Sequence, residues 1–334
     1  MGAALELPVA ADLFETEEPL ALELAAPFPT VFRQREAVDR EWQDATLTYG
    51  QGRGAEAGVT VPLRVRVRGR SRAAECHFPP LMLNFRKPDV VGTVFDGQDR
   101  LKLVTHCKTT DSYDEYVRLE YLIYRAQALV TQYSLRARPV EAHYVDNGRA
   151  RDMGTRPAIL LEDEERFGER HGMAIFEETR VDRSRYDAEA LAVFDVFQYL
   201  IGNTDWSVID GPGEEQCCHN VTPYVRADGK MIPVAYDFDS AGLVNAPHAV
   251  PNERLPIRNV RQRLYRGQCR TPEELAPIFA RFEQQRSAIL ALFTPEQGLE
   301  EDAAESAREY IEEFYATLAD DKQRERAFFN ACDD

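Results

Sequence analysis

Residues 197–242 read FQYLIGNTDWSVIDGPGEEQCCHNVTPYVRADGKMIPVAYDFDSAG, and the order of polar groups in this stretch decides how the rest of the chain is read. Asn203-Thr204-Asp205 follows an apolar run, His219-Asn220 comes after a short insert, and the strand-like IPVAY leads directly into Asp237-Phe238-Asp239. Phosphoryl transfer asks little covalent help of a protein. It needs metal ions against the phosphates and a carboxylate that orients the acceptor hydroxyl. In that reading Asp205 accepts the hydroxyl proton, Asn220 offers a hard amide oxygen to Mg²⁺, and Asp237 bridges metal and phosphates. Asp239 points the same way if the strand pleat continues, and is a candidate for a second metal ion. Taken singly, each is an ordinary turn, loop or strand-end residue, so the weight lies on their joint order. His219 reads as a group that orients its loop rather than as a ligand.

Upstream, Asp187 can cap a helix whose apolar positions Leu191, Phe194, Phe197 and Ile201 follow the helical period, and Gly202 stops it. Downstream, the chain from about Thr271 is mostly helical. The run RNVRQRLYRGQCR, with Arg258, Arg261, Arg263, Arg266 and Arg270, is expected to form internal salt bridges, with an acidic substrate as the other reading.

The first half reads as strands. ALELAAPF and DATLTYG form an opening hairpin or sandwich edge around the polar RQREAVDREWQD, and apolar and basic residues partly alternate from Val61 to Val67. Gly69-Arg70-Ser71 then breaks the pattern as a turn. It can cover a phosphate, with Gly69 admitting the backbone and Arg68, Arg70 or Arg72 facing the charge, or be a plain hairpin with solvated arginines. Lys102 lies in a compact strand, and Ser112 with Glu115 opens a helix over about 112–133 in which Leu119, Ile123, Ala126 and Val130 share a face. A strand lysine followed by a helix glutamate, here Glu120, is an arrangement that fixes nucleotide phosphates. VEAHYVD and PAILLEDE make a further strand pair, ending in Glu162-Asp163-Glu164.

The 57 acidic residues outnumber the 40 basic ones, for a net charge of -17, which repels nucleic acid and anionic membranes. No apolar run approaches the ~20 residues of a membrane helix, and the first residues lack a basic segment followed by a long apolar core. The expectation is a soluble, cytoplasmic protein, with export open if Met1-Gly2 stands in place of a signal. The six cysteines show no metal-binding spacing and read as free thiols, with one or two disulfides in the exported case.

RVRGRSRAAECHFPPLMLNF at 66–85, VEAHYVDNG with PAILLEDE, and NTDW, HN and IPVAYDFDSAG occur in an order that resembles the spore-coat kinases of the CotH type. Asn203-Thr204-Asp205 followed by His-Asn is also similar, more loosely, to HipA-type kinases. The resemblance implies an α+β, atypical protein-kinase-like two-lobed fold, with a β-rich N-lobe over 1–163 and a mostly helical C-lobe over 164–334. It implies ATP with Mg²⁺ or Mn²⁺, Asp205 as catalytic base and Asn220 and Asp237 as metal ligands, with Asp239 beside them. The nucleotide would lie against Arg68, Gly69, Arg70 and Ser71, the pair Lys102 and Glu120, and a hinge at Glu162. Lys87 and Lys108 are alternative anchors. The expected activity is phosphotransfer to a protein hydroxyl or small molecule. A pseudokinase-like binding module and an AMP transferase or ATP-driven ligase are the alternatives.

Overall fold

A computed structural model describes residues 12–50, 58–212 and 217–332. The chain divides into two compact units, Met1–Val117 with Arg136–Asp163, and Arg118–Leu135 with Glu164–Asp334.

The first unit is built from strands β1 (Leu20–Ala26), β2 (Gln43–Tyr49), β3 (Val59–Val67), β4 (Leu81–Phe85), β5 (Arg100–Val104), β6 (Ala137–Asp146) and β7 (Arg151–Leu161). Their side chains alternate. In β3, Val61, Leu63, Val65 and Val67 are buried while Pro62 and Arg64 are exposed, and β6 alternates over its whole length. One face of each strand must therefore be covered, and the sheet covers it by closing on itself in the order β1-β2-β3-β4-β5-β7-β6. The closing seam is parallel, from Leu20 opposite Val140 to Ala26 opposite Asp146. Leu24, Leu47, Val65, Leu83, Leu101 and Leu160 fill the interior, each contributing about 1.5–3 kcal/mol by leaving water. Helix α1 (Phe28–Arg33) occupies the crossover between β1 and β2 and buries Phe28 and Val31, and α2 (Ser71–Glu75) follows the turn at Gly69.

This closed, mixed barrel overturns the expected kinase-like two-lobed fold, whose N-lobe would carry an open sheet. The alternation in each strand shows that one face is buried. It does not show that β1 and β6, more than a hundred residues apart, become neighbours.

In the second unit the chain continues along α3 (Ser112–Val130), whose residues from Arg118 belong here. Leu119, Ile123, Ala126 and Val130 are buried, as their spacing predicts. Then follow α4 (Glu164–His171), β8 (Ala174–Ile175), α5 (Ala188–Ile201), β9 (Val221–Val225), β10 (Met231–Ala235), α6 (Pro272–Leu292) and α7 (Glu301–Ala319). The sheet has the order β10-β9-β8, and every residue of β10 is buried. Helix α6 opens with a full capping box, Thr271 and Glu274 each accepting the other's backbone N–H. Phe282 of α6 meets Phe314 of α7 at 5.8 Å between ring centres, and Tyr199 of α5 meets Phe314 at 6.2 Å. No helix among the described residues is long and apolar enough to cross a membrane.

The cysteines correct the free-thiol expectation: Cys76 is bonded to Cys107, Cys217 to Cys218 and Cys269 to Cys332. Partners 31 and 63 residues apart leave no local spacing signal. The third bond closes a loop that contains α6 and α7. Removing it in the double variant Cys269→Ser, Cys332→Ser should lower unfolding free energy by about 2–5 kcal/mol, read by denaturant titration against the wild type.

His106, just past β5, is buried against Phe78 and Tyr144, with ring centres 4.8 and 5.9 Å away. Burial, with Arg156 second, pushes its pKa from 6.5 down to about 4. Between those values the unfolded chain binds a proton that the folded chain excludes, so this contribution grows as pH rises from about 4 to 6.5 and is lost on acidification. In unfolding titrations across that range the wild type should gain stability more steeply than His106→Phe. Parallel curves would contradict the assignment.

Candidate functional site

The second unit's site begins where α5 ends. Asp187 accepts the Ala190 N–H at 3.0 Å to start the helix, and Gly202 ends it in the left-handed conformation, φ 65°. A side chain at 202 would also run into the Tyr310 hydroxyl. The chain then turns sharply: Asn203 Oδ1 accepts the Asp205 N–H at 2.9 Å, and Trp206 Nε1 donates to the Asn203 carbonyl at 3.0 Å. Arg266 fixes the turn from outside. Its Nη1 donates to the carbonyls of Thr204 and Trp206, both at 2.7 Å, while its guanidinium lies 4.8 Å from the Trp206 ring centre.

Asp205 is thereby presented half-exposed, with both carboxylate oxygens held. Oδ1 lies 2.8 Å from His219 Nε2, and Oδ2 accepts from Asn220 Nδ2 at 3.1 Å, the same amide nitrogen donating to the Asp205 carbonyl at 2.8 Å. The hairpin of β9 and β10 brings the third residue. Val221 pairs with Ala235, and the Tyr236 N–H donates to the Asn220 carbonyl at 3.1 Å, so Asp237 comes one residue past the position opposite Asn220. Both Asn220 (φ 54°) and Asp237 (φ 64°) have left-handed backbones, which asparagine and aspartate tolerate better than most residues. The Asp237 N–H donates to the Tyr124 hydroxyl at 3.0 Å, and Phe238 packs 4.8 Å from the Tyr124 ring. The loop returns to the helix end through Gly242 N–H to the Gly202 carbonyl, 3.1 Å, and Leu243 N–H to that of Ile201, 3.0 Å.

Asp239, two residues on, has Oδ2 2.8 Å from His248 Nε2, and Ser240 Oγ is 3.5 Å from Oδ1. Nothing local in the sequence marks His248 as its partner. A second residue missed by pattern reading is Asp195, on the buried side of α5. It accepts from Arg270 Nη1 at 2.8 Å, and burial raises its carboxyl to about 6 against the opposing pull of Arg270. Of the arginine run expected to form internal salt bridges, Arg270 meets Asp195 and Arg263 reaches Glu313 at 3.1 Å and the Leu200 carbonyl, Arg261 and Arg263 lie over the Tyr310 ring, and Arg258 is exposed.

A cavity of about 500 Å³ opens beside Asp205, bounded among others by Trp206, His219, Ser240, Arg254 and Leu255.

The residues expected around a nucleotide are spread along the chain from Arg68 to Glu162. Lys102, in β5, is buried and stands in register with Met82 of β4. Glu120 is buried in α3. The Arg68 N–H donates to the Pro80 carbonyl at 2.9 Å, the Gly69 carbonyl accepts from Arg40 at 2.7 Å, Arg70 precedes α2, and Ser71 Oγ donates to Glu75 at 3.0 Å. Glu162 exchanges bonds with Arg136: its N–H donates to the Arg136 carbonyl at 2.9 Å, and its Oε2 accepts the Arg136 N–H at 3.1 Å. Lys87 begins a short 3₁₀ turn, and Lys108 lies 5.5 Å from the Tyr113 ring centre. Among the described residues, no group of three or more His, Cys, Asp or Glu side chains is arranged to hold a metal ion.

No protein-family model matches the chain, and no curated protein matches it.

Because position 202 combines a left-handed backbone with a blocked Cβ direction, Gly202→Ala should cost roughly 2–4 kcal/mol. Adding Tyr310→Phe, which deletes the obstructing hydroxyl, should recover part of that loss in equilibrium unfolding. An unchanged midpoint for Gly202→Ala would show that the helix end is more pliable than its contacts imply.

Proposed function

We propose that the second unit carries the acceptor-activating site of an ATP- and divalent-metal-dependent phosphotransferase that acts on a hydroxyl group. The observation that carries this reading is the Asp205 carboxylate, held at one oxygen by His219 and at the other by Asn220, on the wall of a cavity. A carboxylate so fixed can orient an acceptor hydroxyl and take its proton as the new phosphate ester forms. His219 sets the direction of the carboxylate.

The donor set fits a magnesium-type ion. Asn220 uses its amide nitrogen on Asp205, which leaves Oδ1 as a hard oxygen, and Asp237, next to the Tyr236 whose N–H bonds the Asn220 carbonyl, adds a carboxylate. Mg²⁺ is commonly bound by one or two protein groups, with water and substrate phosphates completing its shell, so a cage of three acidic side chains is not required. When bound, the ion would neutralise charge on the transferred phosphate. Asp239, engaged with His248, anchors the loop that follows.

The three disulfides favour an oxidising compartment as the place where the protein works, in preference to the cytoplasm.

Incubation with labelled ATP and Mg²⁺ or Mn²⁺ should label the protein or an added hydroxyl acceptor. Asp205→Ala and Asp237→Ala should each reduce the rate by roughly 10²–10⁴. Mass spectrometry should find a phosphate adduct, an AMP adduct pointing to nucleotidyl transfer instead. Equal labelling by both variants and the wild type would refute the assignment.

A further inference from the structure

We infer that the cavity beside Asp205 is a subsite for a small hydroxylated anion, which places its hydroxyl at Asp205 and its carboxylate or phosphate on Arg254. The inference rests on the function proposed above for Asp205 and adds to it the class of acceptor.

The charged groups lining the cavity are almost all engaged within the protein. Asp205 is held by His219 and Asn220, Asp210 accepts from Ser207 Oγ at 2.8 Å, and Arg266 donates to two backbone carbonyls. Arg254 differs. It is exposed, lines the cavity, and its guanidinium has no hydrogen-bond or ion-pair partner among the described residues. On a chain of net charge -17, such a cation is the feature of the cavity that attracts an anion.

Arg254 is also held in place through its backbone. Its N–H donates to Asn252 Oδ1 at 3.0 Å, and the Leu255 N–H donates to the Asn252 carbonyl at 2.9 Å, a compact turn. The loop bearing that turn is pinned at both ends. His248 is bound to Asp239 on one side, and on the other Val260 is buried and Arg261 lies 4.4 Å from the Tyr310 ring centre. Val250, Leu255 and Trp206 supply apolar wall between the polar groups, and about 500 Å³ suits a small molecule. Anion recognition by one arginine and hydroxyl recognition by one carboxylate would together orient a ligand of a few carbons.

The test is calorimetric titration, without nucleotide or metal, of glycerate and sn-glycerol 3-phosphate against glycerol. We expect at least one anion to bind saturably where glycerol does not. Arg254→Gln should weaken it about tenfold or more, and Arg258→Gln, at an exposed arginine outside the cavity, should not. The glycerate and glycerol 3-phosphate arms separate a carboxylate-preferring from a phosphate-preferring site. Anions that bind no better than glycerol, or equal affinity in Arg254→Gln, would overturn the inference. So would Arg254-dependent binding of an acidic serine-containing peptide alone. Loss of the anion site with Asp205-dependent ATP turnover intact would leave phosphotransfer standing. Arg254-dependent binding with turnover indifferent to Asp205→Ala would do the reverse.

Discussion

The candidate site depends on one backbone conformation at the end of α5. Gly202 turns left-handed beneath the Tyr310 hydroxyl, and the next residues have little choice: Asn203 closes a turn onto the Asp205 N–H, and Gly242 bonds back to the Gly202 carbonyl. Two distant segments thus meet at one glycine. The loop after the helix carries Asp205, and the loop after β10 carries Asp237. A longer helix would move the first relative to the second, and a residue with a Cβ at 202 would separate both from Tyr310.

Arginines supply much of the surrounding support. Arg263 donates through Nε and Nη2 to the Leu200 carbonyl and Arg266 through Nη1 to those of Thr204 and Trp206, at and beyond the helix end, and Arg270 meets the carboxylate of Asp195 within the core. Guanidinium groups suit this work because one planar fork can satisfy two acceptors while its face stacks on an aromatic ring. Tyr310 and Trp206 provide those rings. The acidic chain therefore uses this cationic run as internal scaffolding, and Arg254, outside it, remains available to solvent.

Features encoded over short spans are legible in the order of residues alone. Asp187 and Gly202 mark the two ends of α5, alternating residues mark β3 and β6, and the apolar β10 leads into Asp237. Pairings over long spans are not legible in that way. The parallel seam between β1 and β6 turns an expected open sheet into a barrel, yet either strand would look the same in both. The bonds Cys76 to Cys107 and Cys269 to Cys332 are equally silent, since a cysteine carries no mark of its partner. At the site, the contact between Asp205 and Asn220 can be anticipated as a grouping of residue types. The hold of His248 on Asp239 cannot, because its loop has neither periodicity nor a motif.

Closure of the barrel also limits how the first unit can meet another polypeptide. With β6 joined to β1, no strand of the ring among the described residues is an edge over its whole length, and strand residues paired on one side only are short stretches such as residues 151–158 of β7, which pair with β6 but not with β5. A peptide cannot extend the fully paired part of this sheet as it would an open one, and the same restriction limits edge-to-edge self-association there. Recognition by the barrel must be read out through side chains and loops, where single substitutions can change specificity without disturbing the pairing that holds the strands together.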